Sequence, residues 1–290
     1  MSQAHIIGAG MIPMAKHKAS SYPGLAVPAC QAALAGAGVE VGEIDSVVCG
    51  HAFGGMLTGQ RIIKAFGIGG VPVVNVDNAC SGGATALHLA VQAVCEERAE
   101  AVLVIGVDKL TQFGGGALPL VEEDPEVRNG MIMPALYAMR ARRFLHERGE
   151  RPELLARVSV KARAHGAANP FAQFREEITV EEVLASRPIA EPLTLFQCCP
   201  TGDGAAAVVV VSESFARRKA VPPIKVRASI LHSGKASFGP RNMLHPDITY
   251  HSAADAYEAA GIGPEDVDLV ELHDAFTIAE LIYYEAVGLC

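Results

Sequence analysis

The chain has 290 residues, of which 50% are apolar and only 19% charged, with 24 Lys and Arg against 32 Asp and Glu for a net charge of −8. That length and apolar content supply core for one large domain or two ordinary ones, which excludes disordered and low-complexity classes. The acidic balance excludes a dedicated nucleic-acid binder, whose electrostatic footprint is basic.

In chain order, periodicity predicts a strand over residues 4–7, an Ala-rich helix over 24–38, strands over 44–49 and 71–76, a helix over 81–97 and a strand over 101–107. Helices at 133–147 and 153–165, a fully buried strand at 205–211, a strand at 267–272 and a helix at 276–285 follow. β-branched runs bounded by Gly and Pro, alternating with amphipathic stretches, predict an α/β fold with a covered sheet. The run 205–211 is the longest purely apolar stretch and is far too short to span a membrane.

The opening MSQAHIIGAGMIP has no charged region ahead of an apolar core and reads as the first strand of the mature protein. Seven cysteines (Cys30, Cys49, Cys80, Cys95, Cys198, Cys199 and Cys290) are an odd, scattered set without a CxxC pair, which fits neither a disulfide framework nor a zinc site. The expectation is a soluble cytoplasmic protein with reduced thiols and no metal centre.

Two 21-residue segments, starting at Ala33 and Ala256, align without a gap at an offset of 223. They share Ala33/Ala256, Gly38/Gly261, Asp45/Asp268, Val47/Val270, Ala52/Ala275 and Phe53/Phe276. Each reads as a helix ending at a Gly C-cap, an acidic turn and a strand, the pattern of a duplicated α/β half. At that offset the second copy is predicted to be incomplete, lacking later strands and a helix and leaving an unpaired sheet edge. The expected organisation is an N-terminal half over 1–118 and 201–220, an inserted loop domain over 119–200, and a partial C-terminal half over 221–290.

Between Arg140 and His165 eight Lys or Arg face three Glu, so this part of the insertion is +5 inside a −8 protein. It is either a landing surface for an anionic ligand, with Arg140, Arg142 and Arg143 as candidates, or a set of solvated helix faces.

The sharpest local signal is VVNVDNACSGGATALHLA, where a β-branched strand enters a tight polar turn and Cys80 precedes SGG at the mouth of a helix. A thiol there feels the positive end of the helix dipole, which favours the nucleophilic thiolate. Gly82 and Gly83 are expected to leave room for a substrate carbonyl and its oxyanion. The alternative is a buried structural cysteine. The second signal is VELHDAFTIAEL, with His273 closing a predicted strand, where α/β folds place ligand groups. His51, one residue off the corresponding point of the first copy, is a weaker candidate of the same kind. Gly8 and Gly10 lack the third Gly of a dinucleotide fingerprint, no GxSxG, Walker or HExxH motif occurs, and the adjacent Cys198 and Cys199 do not suit chelation.

DNACSGGA around Cys80, ANP at 168–170, CCPTGDGAAAVVV from Cys198 and HDAFTIAEL from His273 together resemble the thiolase superfamily, specifically its sterol-carrier-protein-type and archaeal-type thiolases and their lipid-transfer relatives. The resemblance covers the whole chain. It implies a duplicated, five-layered αβαβα fold whose inserted loop domain binds coenzyme A, and a homodimer or higher oligomer with the strand before Cys80 at the interface. It makes Cys80 the nucleophile that takes an acyl group from an acyl-CoA, and His273 the HDxF histidine that helps hold a thioester oxyanion. Two departures stand out: Ala275 occupies the place of the HDCF cysteine, and the family's GHP segment and final glycine-rich loop have no match. The implied function is a thiolase-type acyltransferase working by Claisen condensation or thiolysis. The alternatives are an acyl-CoA retro-aldolase of the steroid side-chain type, acting with an OB-fold partner, and a non-catalytic binding or assembly subunit.

Overall fold

The computed structural model describes residues 3–234 and 242–290. In chain order its strands are β1 (Ala4–Met11), β2 (Ser46–His51), β3 (Val73–Asp77), β4 (Ala101–Lys109), β5 (Pro188–Ala190), β6 (Leu193–Thr194), β7 (Asp203–Ser212) and β8 (Ile224–Lys225). Its helices are α1 (Tyr22–Ala37), α2 (Thr58–Phe66), α3 (Gly82–Cys95), α4 (Pro125–Arg128), α5 (Met133–Arg148), α6 (Pro152–Ala168), α7 (Val180–Ala185), α8 (Glu213–Arg217), α9 (Asp247–Ala260) and α10 (Thr277–Ala286). The chain divides into two compact units, one of residues 1–114 with 201–231 and the other of 115–200 with 232–290.

In the first unit, the described strands form a six-stranded mixed sheet in the order β3-β2-β4-β7-β1-β8. β2 pairs in parallel with β3 and β4, while β7 runs antiparallel to both β4 and β1. Alternation along each strand explains why the runs are apolar throughout. Val47, Cys49, Leu103, Ile105, Val209 and Val211 pack on the face covered by α1 and α2. Val48, Val102, Val104 and Val210 pack on the face covered by α3. The result is a three-layer α–β–α arrangement around a sheet that is dry on both sides.

Helix α1 starts where the Ser21 side chain accepts the Gly24 N–H at 3.2 Å and stops at Gly38, whose φ of 60° is left-handed. Its small residues let it lie close on β1. A Cβ on Gly8 would sit 2.3 Å from the Ala33 carbonyl oxygen, and one on Gly10 would sit 2.3 Å from that of Ala29. The IIGAG glycines are thus packing residues.

The predicted duplication reappears in the caps. Gly38 N–H donates to Ala35 O at 3.2 Å and Gly261 N–H to Glu258 O at 3.2 Å, each followed by a second bond from the next residue. Short 3₁₀ turns then fall at Val41–Glu43 and Pro264–Asp266, at the same offset. In each an acidic side chain accepts the N–H three residues back: Glu43 from Glu40, Asp266 from Gly263, both at 2.9 Å. The copies then diverge. The first continues into β2, whereas residues 267–272 form no strand, contrary to the expectation from VDLVEL. An isolated strand leaves its N–H and C=O groups unpaired, and no described strand pairs with this segment. Leu269 and Val270 of this segment stay in solvent, Leu269 being 75% exposed.

The second unit has its own core. Tyr137, Ala141 and Phe144 of α5, Leu155 of α6, and Ile278 and Ile282 of α10 pack with Leu193 and Phe276. Phe276 stacks on Tyr137 with ring centroids 4.4 Å apart. Among the described residues no helix is long and apolar enough to cross a membrane.

Candidate active site

Cys80 belongs to the first unit, on a single 3₁₀ turn (Ala79–Ser81) between the end of β3 and the start of α3. The turn is strained, because Ala79, just before the thiol, has a φ of 44°. A non-glycine residue held there costs of order 1 kcal/mol, and such strain gathers at functional turns. Side chains fix it in place. Asn78 Nδ2 donates to Thr85 Oγ1 at 2.8 Å, and Ser81 Oγ donates to Asn78 O at 2.8 Å. With Ser81 committed to that bond, α3 has no side-chain cap at its N-terminus. An uncapped helix end, with its positive partial charge, therefore lies beside an exposed thiol.

Gly82 serves a different purpose from the predicted one. A Cβ on it would sit 3.0 Å from the backbone N and O of His51, and one on Gly50 would sit 2.1 Å from the Gly82 carbonyl oxygen. The Gly50/Gly82 contact brings the start of α3 against the end of β2, so that the glycine admits a strand and leaves no room for a substrate there. Gly83 is the less confined of the pair, its nearest neighbour being Gly106 Cα at 3.7 Å.

His51 is buried, and its Nδ1 accepts the Gly54 N–H at 3.3 Å, so the ring proton is on Nε2. Among the described residues, that buried Nε2 has no hydrogen-bond partner. Nearby, Asp108 at the end of β4 accepts the N–H groups of Ala52 at 2.8 Å and Phe53 at 3.0 Å. Burial raises the Asp108 carboxyl above its ordinary value, against the lowering effect of those bonds. Burial, with the Asp108 charge, also raises Tyr22, whose hydroxyl accepts from Gln112 Nε2 at 3.3 Å. Of this polar cluster at the carboxyl ends of β2 and β4 the sequence offered only His51; the acid closing a β-branched run (AVLVIGVDK) was the signal for Asp108.

His273 lies in the second unit, exposed, on the irregular stretch ahead of α10. Its HDAF segment is held by the cysteine pair: Cys199 N–H donates to Ala275 O at 2.8 Å, and Cys198 forms an antiparallel bridge with Phe276. Cys198 itself is pushed up to about 11 by burial. The pair is thus an anchor for the motif, which its adjacency alone did not reveal.

The basic insertion is less positive than its formal count. Arg143 pairs with Glu147 at 2.6 Å and Arg148 with Glu285 at 2.6 Å. Lys161 pairs with Glu280, and the Arg140 guanidinium lies 5.0 Å from the Tyr137 ring centroid. Of the three candidate anion ligands, Arg142 is exposed and forms no ion pair among the described residues.

Residues 4–214 match the family model of the thiolase N-terminal domain, and residues 233–290 match a thiolase C-terminal domain-like model. The chain belongs to the thiolase family. Benzoylsuccinyl-CoA thiolase subunit BbsB of Thauera aromatica is 46% identical over 251 residues, which cover 85% of this chain and 65% of BbsB. An acetyl-CoA acetyltransferase of Methanothermobacter thermautotrophicus is 33% identical, covering 99% of this chain and 78% of that protein. The solved structure of an Ltp2-ChsH2(DUF35) aldolase superposes with a TM-score of 0.87 at 29% identity, covering 99% of this thiolase chain and 77% of that chain. The α/β architecture is thus a thiolase-like fold.

Proposed function

We propose that the protein is an acyltransferase acting on acyl-CoA thioesters, with Cys80 as nucleophile and His273 as an oxyanion donor. The observation that carries this reading is the strained Cys80 turn at an uncapped helix N-terminus, in a chain matched by the thiolase N-terminal model. The Cys80 thiolate adds to the thioester carbonyl, the carbon–sulfur bond to coenzyme A breaks, and coenzyme A leaves with the proton that the thiol gave up. In condensation the acyl group then passes from Cys80 to the α-carbon of a second thioester, which gives up a proton. In thiolysis Cys80 instead adds to the 3-keto carbonyl of a 3-ketoacyl-CoA, the C2–C3 bond breaks with C2 taking a proton, and the acyl group passes from Cys80 to the sulfur of a second coenzyme A, whose thiol proton returns to Cys80. The decisive experiment is peptide mass spectrometry after incubation with an acyl-CoA; absence of an adduct on Cys80 sinks the reading.

We assign coenzyme A to the insertion, with Arg142, which forms no ion pair among the described residues, as a candidate cation. Arg142→Glu is expected to raise KM for an acyl-CoA about 3- to 10-fold and leave kcat within about 2-fold, the scale of an exposed ion contact and its reversal. Steady-state kinetics at two salt concentrations checks this. A homodimer is proposed through β3, an edge strand of the sheet whose Val74 is 45% exposed.

The similarity to an aldolase complex favours a second reading, retro-aldol cleavage of an acyl-CoA with an OB-fold partner. BbsB, too, is described as a subunit. Carbon–carbon cleavage that survives Cys80→Ala in the presence of such a partner would select this reading over acyl transfer.

A further inference from the structure

Among the described residues, Arg140 of α5 is the cation of the insertion whose guanidinium carries a buried nitrogen, Nε, with no hydrogen-bond partner. The residue is half-buried and forms no ion pair there. Acids of the neighbouring helices are committed elsewhere: Glu147 to Arg143, Glu285 to Arg148 and Glu280 to Lys161. A guanidinium cannot shed its proton to escape burial, so a desolvated arginine with an unused N–H is costly unless an anion completes it. One of its faces lies on the Tyr137 ring, 5.0 Å from the centroid, which holds the fork in place without neutralising it.

The surroundings distinguish this cation from its neighbours. Three residues apart, Tyr137 and Arg140 share a face of α5. Tyr137 is also the ring on which Phe276 of the HDAF motif stacks, with centroids 4.4 Å apart, so this face is turned to the motif. Arg142 lies about 200° further round the helix and is exposed. The solvent-facing Arg142 suits a phosphate of coenzyme A, whereas Arg140 suits an anion that travels with the reacting group.

We propose that Arg140 is a specificity residue that binds a carboxylate on the acyl group, so that the preferred substrates are acyl-CoA thioesters carrying a second, free carboxyl group. The proposal rests on the acyltransferase reading, in which the thioester lies at His273 of the same HDAF motif. A carboxylate is the anion whose two oxygens match the Nε–H and Nη–H of one guanidinium edge, and it supplies the acceptor that Nε lacks. Lysine in this place would keep the charge and lose the match.

Succinyl-CoA and butyryl-CoA have equal acyl chain lengths and differ by a terminal carboxylate in place of a methyl group; glutaryl-CoA and pentanoyl-CoA form the same pair one carbon longer. Calorimetric titration into Cys80→Ala protein measures the binding of each without turnover. The carboxylated member of at least one pair is expected to bind about 10- to 100-fold tighter than its neutral counterpart, the scale of a charge-assisted hydrogen bond. Adding Arg140→Met should bring that ratio to about 1, and adding Arg140→Lys, which keeps the cation, should lower it at least about threefold. The ratio cancels the general attraction of any cation for coenzyme A. Absence of a preference in the protein that retains Arg140, or an undiminished preference in either Arg140 variant, overturns the proposal. An equal loss of affinity for both members of a pair also overturns it, because the anion held is then a phosphate of coenzyme A. If the ratios behave as expected while protein with Cys80 intact forms no acyl adduct, the acyltransferase reading falls and the carboxylate site stands.

Discussion

Incubation with an acyl-CoA is expected to place the acyl group on Cys80 and on no other of the seven cysteines, and Cys80→Ser is expected to lower acyl transfer by on the order of 10³-fold or more. The selectivity follows from the environments of the thiols. Burial pushes Cys30 and Cys49 up to about 12. A thiol with that value is ionised to only about one part in 10⁴ at pH 8. Cys198 is held at about 11 for the same reason and hydrogen-bonds the Thr194 carbonyl at 3.4 Å. Cys199 and Cys290 are exposed like Cys80, so they are the internal controls. What they lack is an uncapped helix N-terminus of α3's length one residue beyond a strained backbone. Peptide mapping that finds equal acylation at Cys80, Cys199 and Cys290 would reduce Cys80 to one accessible thiol among three and would remove the basis of the proposed mechanism.

Much of the first unit is legible in the sequence because its strands are buried on both faces. Runs such as AVLVIGV and AAAVVVV can bury every side chain only between two helical layers, and β4 and β7 lie there. The repeat is legible for a different reason: a helix stop at a left-handed glycine and a 3₁₀ turn closed by an acid are local devices, fixed by a few consecutive residues. Strand formation at 267–272 is not local. VDLVEL alternates as well as β2 does, yet a strand exists only when a neighbour accepts its hydrogen bonds, and no property of the six residues supplies that neighbour.

Long-range pairing also hid much of the site. Lys161 and Glu280 are 119 residues apart, and Lys161 reads from sequence as one more cation in a basic stretch. The structure withdraws it from the pool available to an anionic ligand and assigns it to a buried acid. Arg148 is likewise paired with a distant acid, Glu285, so the net charge of a segment overstated the field it projects. Gly82 shows the converse error. Its position beside a nucleophilic cysteine suggested space for a substrate, whereas its small size is required by a β-strand.

The Gly50/Gly82 contact leads to the largest expected loss of stability. Gly50→Ala places a methyl group 2.1 Å from the Gly82 carbonyl oxygen, and that obstacle is backbone, which cannot rotate aside as a side chain would. Nor can β2 retreat, since Gly50 is paired with Val76 of β3 on one side and Gly106 of β4 on the other. Overpacking costs typically about 1–3 kcal/mol, and a clash with fixed backbone in a paired central strand belongs at or above the upper end. The expected result is a loss of about 3 kcal/mol, seen as a fall in melting temperature of roughly 6–9 °C. Acylation of Cys80 should fall by about tenfold or more even in the folded fraction, because the start of α3 must move and it carries the nucleophile's turn with it. Gly36→Ala is the control, lying in α1, where its new methyl group meets nothing within 4 Å beyond its chain neighbours and the helix's own backbone. Replacing that helical glycine should leave acylation unchanged and stabilise by about 0.5–1 kcal/mol. Equal melting temperatures and acylation rates for Gly50→Ala and wild type would show that α3 can shift freely on β2. The helix would then no longer be the fixed platform that holds Cys80.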